Sequence, residues 1–252
     1  MKFFTTTILL FLMGSSAFSH DLWVQASNKD RIEADLIYGH DFTTPEKISN
    51  DRLSLFEPIN VIGENTNIVL SQEGENYHYQ GKEKLKKGTY IVQATYKPTP
   101  WIQTADGKWE MNKTRKDTKK EVKSCGIYSM SGKSILVVGN DDGQFATTLL
   151  GKGVEITPMV KATDIKEGVA LKFKVTKDGK ALKLQEVYGN LEGYSQNEMS
   201  MPFYAKTDLS GEFIFKPLKK GQWYLKTNYV AESKNQNCEK TGDKSTLSFE
   251  VH

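Results

Sequence analysis

The stretch Ala170–Tyr188, ALKFKVTKDGKALKLQEVY, decides the fold: Ala170–Thr176 reads as a short strand, Lys177-Asp178-Gly179-Lys180 as a tight turn, and Leu184–Tyr188 as the next strand. Short strands at even spacing continue on both sides of it. Upstream, Val154–Pro158 follows Gly151-Lys152-Gly153. Downstream, Phe203–Lys206, Gly211–Phe215 and Gln222–Asn228 are divided by the turns Asp208-Leu209-Ser210-Gly211 and Lys219-Lys220-Gly221, and Thr246–Val251 closes the set. Seven short strands in roughly a hundred residues predict an immunoglobulin-like sandwich and place a domain boundary near Gly151.

The front half carries β-signals too. In Asp30–Tyr38, DRIEADLIY, residues Ile32, Ala34 and Leu36 share one face, and Lys87–Tyr96 reads as a turn followed by a strand. Ser134–Val138 is a further apolar strand, ended by the turn Asn140-Asp141-Asp142-Gly143. A single helical turn is expected at Thr44–Ile48, with Thr44 as cap and Pro45 in the first helical position. The fold class is all-β: two β-sandwich domains, residues 20–150 and 151–252, the second immunoglobulin-like.

The amino end has the form of an export signal. Lys2 precedes the apolar run Phe3–Met13, too short to span a bilayer, and Ala17 and Ser19 stand at the −3 and −1 positions of a cleavage point before His20. Residues 1–19 are therefore expected to be a signal peptide. The mature protein is expected to be periplasmic, with no insertion into the membrane after cleavage. Lys and Arg (34) nearly balance Asp and Glu (31), so the net charge of +3 argues against nucleic acid or an anionic membrane as partner. The basic cluster Lys108–Lys123 is interrupted by Glu110, Asp117 and Glu121 and reads as a solvated loop or edge-strand face. Cys125 and Cys238, both in the exported part, are expected to form a disulfide closing a loop of more than a hundred residues, worth about 4–5 kcal/mol in the chain-entropy account.

Chemistry can be argued only from histidine. The chain has four, His20, His40, His78 and His252, and none stands in a hydrolase, zinc-protease or nucleotide-binding motif, so no catalysis is expected. Cleavage before His20 would leave a residue whose α-amine and imidazole can chelate one ion. His40, in Tyr38-Gly39-His40-Asp41 where the first strand must turn, would add a third nitrogen, a set suited to the tetragonal preference of Ni(II) or Cu(II). Asp21, Asp41 and Glu46 are candidates to accept hydrogen bonds from the ligating groups or to supply an oxygen ligand. His78, between Tyr77 and Tyr79, reads as a structural strand residue, His252 as an exposed terminus, and Trp23 and Trp101 as core or as walls of the site.

His20-Asp21-Leu22-Trp23, Tyr38-Gly39-His40-Asp41-Phe42, Pro45-Glu46 and Tyr96-Lys97-Pro98-Thr99-Pro100-Trp101 together resemble the DUF4198 family. Glu155–Pro158, Asp178-Gly179-Lys180 and Thr207–Phe213 are similar to its second, immunoglobulin-like part. The chain departs from the family where Thr43-Thr44 replaces a proline-containing linkage. The resemblance implies an exported protein of nickel or cobalt uptake, the periplasmic metal-binding component of an energy-coupling-factor-type ABC transporter, with His20 and His40 as ligands. The expected function is binding of Ni(II) or Co(II) for membrane transporter subunits, and the same nitrogen set also suits Cu(II) or Zn(II). Two other readings remain: a copper-dependent redox enzyme built on the amino-terminal histidine chelate, and a structural or adhesive periplasmic protein.

Overall fold

The computed structural model describes residues 20–195 and 200–252; the expected signal peptide, residues 1–19, lies outside the described residues. In chain order the strands are β1 (Asp21–Asn28), β2 (Ile32–Gly39), β3 (Asn60–Gly63), β4 (Thr66–Val69), β5 (Ser71–Gln72), β6 (His78–Gln80), β7 (Gly88–Thr104), β8 (Trp109–Met111), β9 (Val122–Val138), β10 (Val154–Pro158), β11 (Leu171–Lys177), β12 (Lys180–Ala181), β13 (Glu186–Leu191), β14 (Phe203–Lys206), β15 (Glu212–Phe215), β16 (Gly221–Glu232) and β17 (Lys240–Val251). Four short 3₁₀ turns make up the described helical content, and among the described residues no helix is long and apolar enough to cross a membrane. The protein is all-β.

The strands form two sandwiches around separate cores. In the first, the sheet β1-β2-β6-β5 packs on β3, β7 and β9, enclosing Leu22, Leu36, Val61, Val92 and their neighbours. The second, immunoglobulin-like sandwich sets β10, β11, β12 and β15 against β13, β14, β16 and β17, around Phe173, Phe215, Trp223 and Phe249. Each large apolar side chain enclosed this way contributes roughly 1.5–3 kcal/mol. The two cores draw on residues on either side of Gly151, but one nine-stranded sheet belongs to both. It is continuous because β17 pairs parallel to β9, from Lys240 opposite Gly126 to Ser248 opposite Ser134.

Several elements depart from the local reading. The strand expected to end at Tyr96 runs on to Thr104, and its ladder with β9 shifts register between Tyr96 and Thr99. Pro98, which has no N–H to give a ladder, falls in that irregularity. The helical turn expected at Thr44–Ile48 is absent, and residues 44–49 are irregular. Asn76 holds this segment open: its side-chain amide donates to the Ile48 carbonyl (2.7 Å) while its oxygen accepts from the Ile48 N–H (2.9 Å), and Ile48 itself is buried in the first core. The two cysteines are joined as expected, with Cα atoms 4.7 Å apart, tying β9 to the segment before β17. Within the basic cluster Lys108–Lys123, Lys113 and Lys120 both pair with Glu110, as a solvated face would.

β1 is an edge strand of its own sheet, and β17 covers its open side. Lys244 Nζ donates to the His20 carbonyl (2.8 Å), Thr246 Oγ1 to that of Leu22 (2.6 Å) and Ser248 Oγ to that of Val24 (3.1 Å). Three donors at alternate positions of one strand thus meet three carbonyls at alternate positions of the other, the period of two that extended chains share. The close crossing requires Gly132 on β9 beneath: a Cβ there would stand 2.8 Å from the Leu22 carbonyl oxygen and 3.1 Å from the Trp23 Cα.

Candidate metal centre

The β1–β2 hairpin fixes the positions of its two histidines. Its register pairs Asp21 with Gly39 and Asn28 with Ile32, so His20 and His40 stand opposite one another one step beyond the ladder. Their rings lie 4.4 Å apart, centroid to centroid, and are tilted by 36°. Two imidazoles on one ion, each with a metal–nitrogen bond of about 2.0–2.1 Å, place their centroids roughly 4.5–6 Å apart depending on the angle at the metal. The observed 4.4 Å falls just short of that span.

His20 shares its hairpin face with Leu22, Leu36 and Tyr38, so it caps the open end of the first core. The Tyr38 ring is stacked on it at 4.9 Å, and Tyr96 is stacked beyond Tyr38 at 6.0 Å. Trp101, nine-tenths buried, donates its indole N–H to the Tyr96 hydroxyl (3.1 Å). Arg52 donates to the Tyr38 hydroxyl (3.2 Å), and its guanidinium carbon lies 5.9 Å from the Tyr38 ring and 5.8 Å from that of Trp101. Burial, followed by the charges of His40, Arg52 and Lys244, holds the His20 imidazole below its usual 6.5, while Glu46 acts in the opposite sense. A neutral imidazole is the form that binds metal. Burial raises Tyr38 and Tyr96, which keeps both phenols protonated at neutral pH.

The remaining predicted residues are placed differently. Asp21 points to the opposite face of β1, where its carboxylate receives Lys226 Nζ (2.6 Å) and Lys244 Nζ (3.1 Å); it anchors the strand from behind. Asp41 is exposed and lines, with His40, Thr43, Asn190, Tyr224 and Lys226, a cleft of about 350 Å³ between the hairpin end and the second sandwich. Glu46 is exposed and bears on His20 through its charge. Trp23 is core, packed with Ile37, Phe42 and Tyr224 where the two sandwiches meet. His78 pairs with Asp35 (2.7 Å) on the other side of the sheet, and His252 is exposed. Among the described residues no three His, Cys, Asp or Glu side chains are placed to hold an ion together.

Arg52, which sequence reasoning passed over, lies in Asn50-Asp51-Arg52-Leu53, a segment without motif or periodicity, and nothing local signals that it reaches the hairpin end.

A family model, the domain of unknown function DUF4198, matches residues 17–231. No curated protein matches the chain. Among solved structures it is similar to native alpha-2-macroglobulin from Escherichia coli spanning domains MG0-NIE-MG1, at 8% identity and a TM-score of 0.22, over 94% of this chain and 73% of that one. It is also similar to the full ectodomain (Ig1–Ig3) of mouse nectin-like molecule 4, at 9% identity and a TM-score of 0.21, over 93% and 65%.

Proposed function

Since the chain belongs to the DUF4198 family, matched over residues 17–231, we propose that it is an exported, periplasmic binding protein for a divalent transition metal ion, nickel or cobalt, which it passes to a membrane transporter without any reaction of its own. The observation that carries this reading is the meeting of His20 and His40 at the end of the β1–β2 hairpin. Removal of residues 1–19 would free the α-amine of His20, so that the amine and two imidazoles supply three nitrogens of intermediate softness, a set that suits nickel, cobalt and copper alike. Aromatic rings close one side of the pair, while the exposed His40 leaves the other side open for exchange, as a carrier requires.

The test is calorimetric binding of Ni(II) and Co(II) to the chain beginning at His20, compared with a form carrying one extra residue ahead of it and with His40→Ala. Tight binding that is weakened by both changes is the expected result. Equal binding by all three forms overturns the reading. The copper-enzyme alternative uses the same two histidines and is separated by its turnover with Cu(II) and a reductant.

A further inference from the structure

Around the histidine pair the cations are not equally neutralised. Lys244 and Lys226 share the carboxylate of Asp21. Arg52 meets only a phenol and two aromatic rings, and among the described residues it has no carboxylate partner. Arg52 is half-buried and has spent one of its five N–H donors on Tyr38. An unneutralised cation beside a site for a dication opposes the bare ion by ordinary Coulomb repulsion. The same group offers a rigid fork that matches a carboxylate in two-point contact.

We infer that the site takes its ion as an anionic chelate, with Arg52 binding a carboxylate of the chelator while His20 and His40 bind the metal. This rests on the metal-binding reading above and names the form of its cargo. Three protein nitrogens leave coordination positions that a small polycarboxylate can keep, and its charge offsets both the ion and Arg52. The Tyr38 and Trp101 rings lie beside the guanidinium carbon, at 5.9 and 5.8 Å, and the Tyr38 hydroxyl accepts one of its N–H groups.

The experiment measures binding of Ni(II) alone and of Ni(II) with equimolar citrate to the chain beginning at His20, to Arg52→Gln, to Arg52→Lys and to His40→Ala, with melting curves to establish that each is folded. Citrate is expected to preserve or tighten binding to the unaltered chain. Arg52→Gln should weaken the citrate complex by about tenfold or more while Ni(II) alone binds as tightly or more tightly, as the loss of a charge-assisted contact and of an opposing charge predicts. Arg52→Lys, which keeps the charge and loses the fork, should fall between. Citrate that strips the ion equally from the unaltered chain and Arg52→Gln overturns the inference, as does an unchanged citrate complex in Arg52→Gln. Binding of Ni(II) alone that is lost in His40→Ala but indifferent to citrate and Arg52 overturns this inference and leaves the metal site standing. Absence of Ni(II) binding in every form overturns both.

Discussion

Replacing Glu155 should destabilise this protein more than any exposed substitution, and removing Lys133 as well should restore part of the loss. Lys133 on β9 and Glu155 on β10 are each 2% exposed, with Nζ and Oε2 3.0 Å apart. The ammonium has one other acceptor, Thr157 Oγ1 at 3.4 Å. The carboxylate also accepts the N–H groups of Leu150 (3.1 Å) and Gly151 (2.7 Å), which hold the connection between the two sandwiches. Burial pushes the Lys133 ammonium below its usual range, and Glu155 acts against that shift through its charge and hydrogen bond. Glu155→Leu leaves the buried Lys133 Nζ and two N–H donors without their acceptor, a loss of about 5 kcal/mol; Lys133→Met leaves a carboxylate with two donors still in place and costs about 3 kcal/mol. The double replacement puts two apolar chains in contact and loses only the two donors, about 2–4 kcal/mol, so the coupling is about 4–6 kcal/mol. Urea titrations of the four proteins give these values from midpoints at a common slope. If the double change costs the sum of the single ones to within about 0.5 kcal/mol, the buried pair does not interact as described.

Gly132→Ala would drive a methyl into the backbone of β1, which cannot yield as a flexible side chain can; the expected cost is about 1–3 kcal/mol, read as a melting temperature lower by roughly 2–12 °C, with weaker Ni(II) binding because His20 moves with the strand. Glu239 is held down to about 2, first by its hydrogen bonds from Arg115 and also by the Cys125 N–H, so its contribution is fully present above about pH 4.5 and disappears as pH falls toward 2. The pair is well exposed, 39% for Arg115 and 42% for Glu239, which limits the effect to about 1 kcal/mol; Glu239→Gln should flatten the acid limb of a pH–melting curve and leave the curve above pH 6 parallel to the original.

The Lys177–Lys180 turn was legible in the sequence because its signal, Asp178-Gly179, is local, but the strand it closes is the two-residue β12, and the strand read at Leu184–Tyr188 starts at Glu186 and pairs in the other sheet with β14 and β16. The closeness of His20 and His40 was half legible. Both residues were picked out by chemistry, but their meeting depends on a hairpin register symmetrical about Asp30, and no single residue states that register. The strand read as ending before Lys97-Pro98 continues because β9 pairs with it on both sides of the irregularity, a case of tertiary pairing overriding a local breaker. The helix signal at Thr44-Pro45 lost to the side chain of Asn76, a residue far along the chain. Arg52 and the donors Lys244, Thr246 and Ser248 were invisible for the same reason, since their partners are distant in sequence.

The parallel pairing of β17 with β9 has a consequence for the order in which this chain can be made. Residues 126–134, paired on one side with β7, acquire their second neighbour only when residues 240–248 exist, more than a hundred positions later, and the carbonyls of β1 wait for the same strand. During synthesis the first half emerges with an open strand edge that it cannot close by itself, the condition in which unfinished sheets pair with one another. The ladder that joins the two halves is of the non-local, slow-forming kind. Loss of the last twelve residues would therefore leave the first sandwich, as well as the second, without a finished edge.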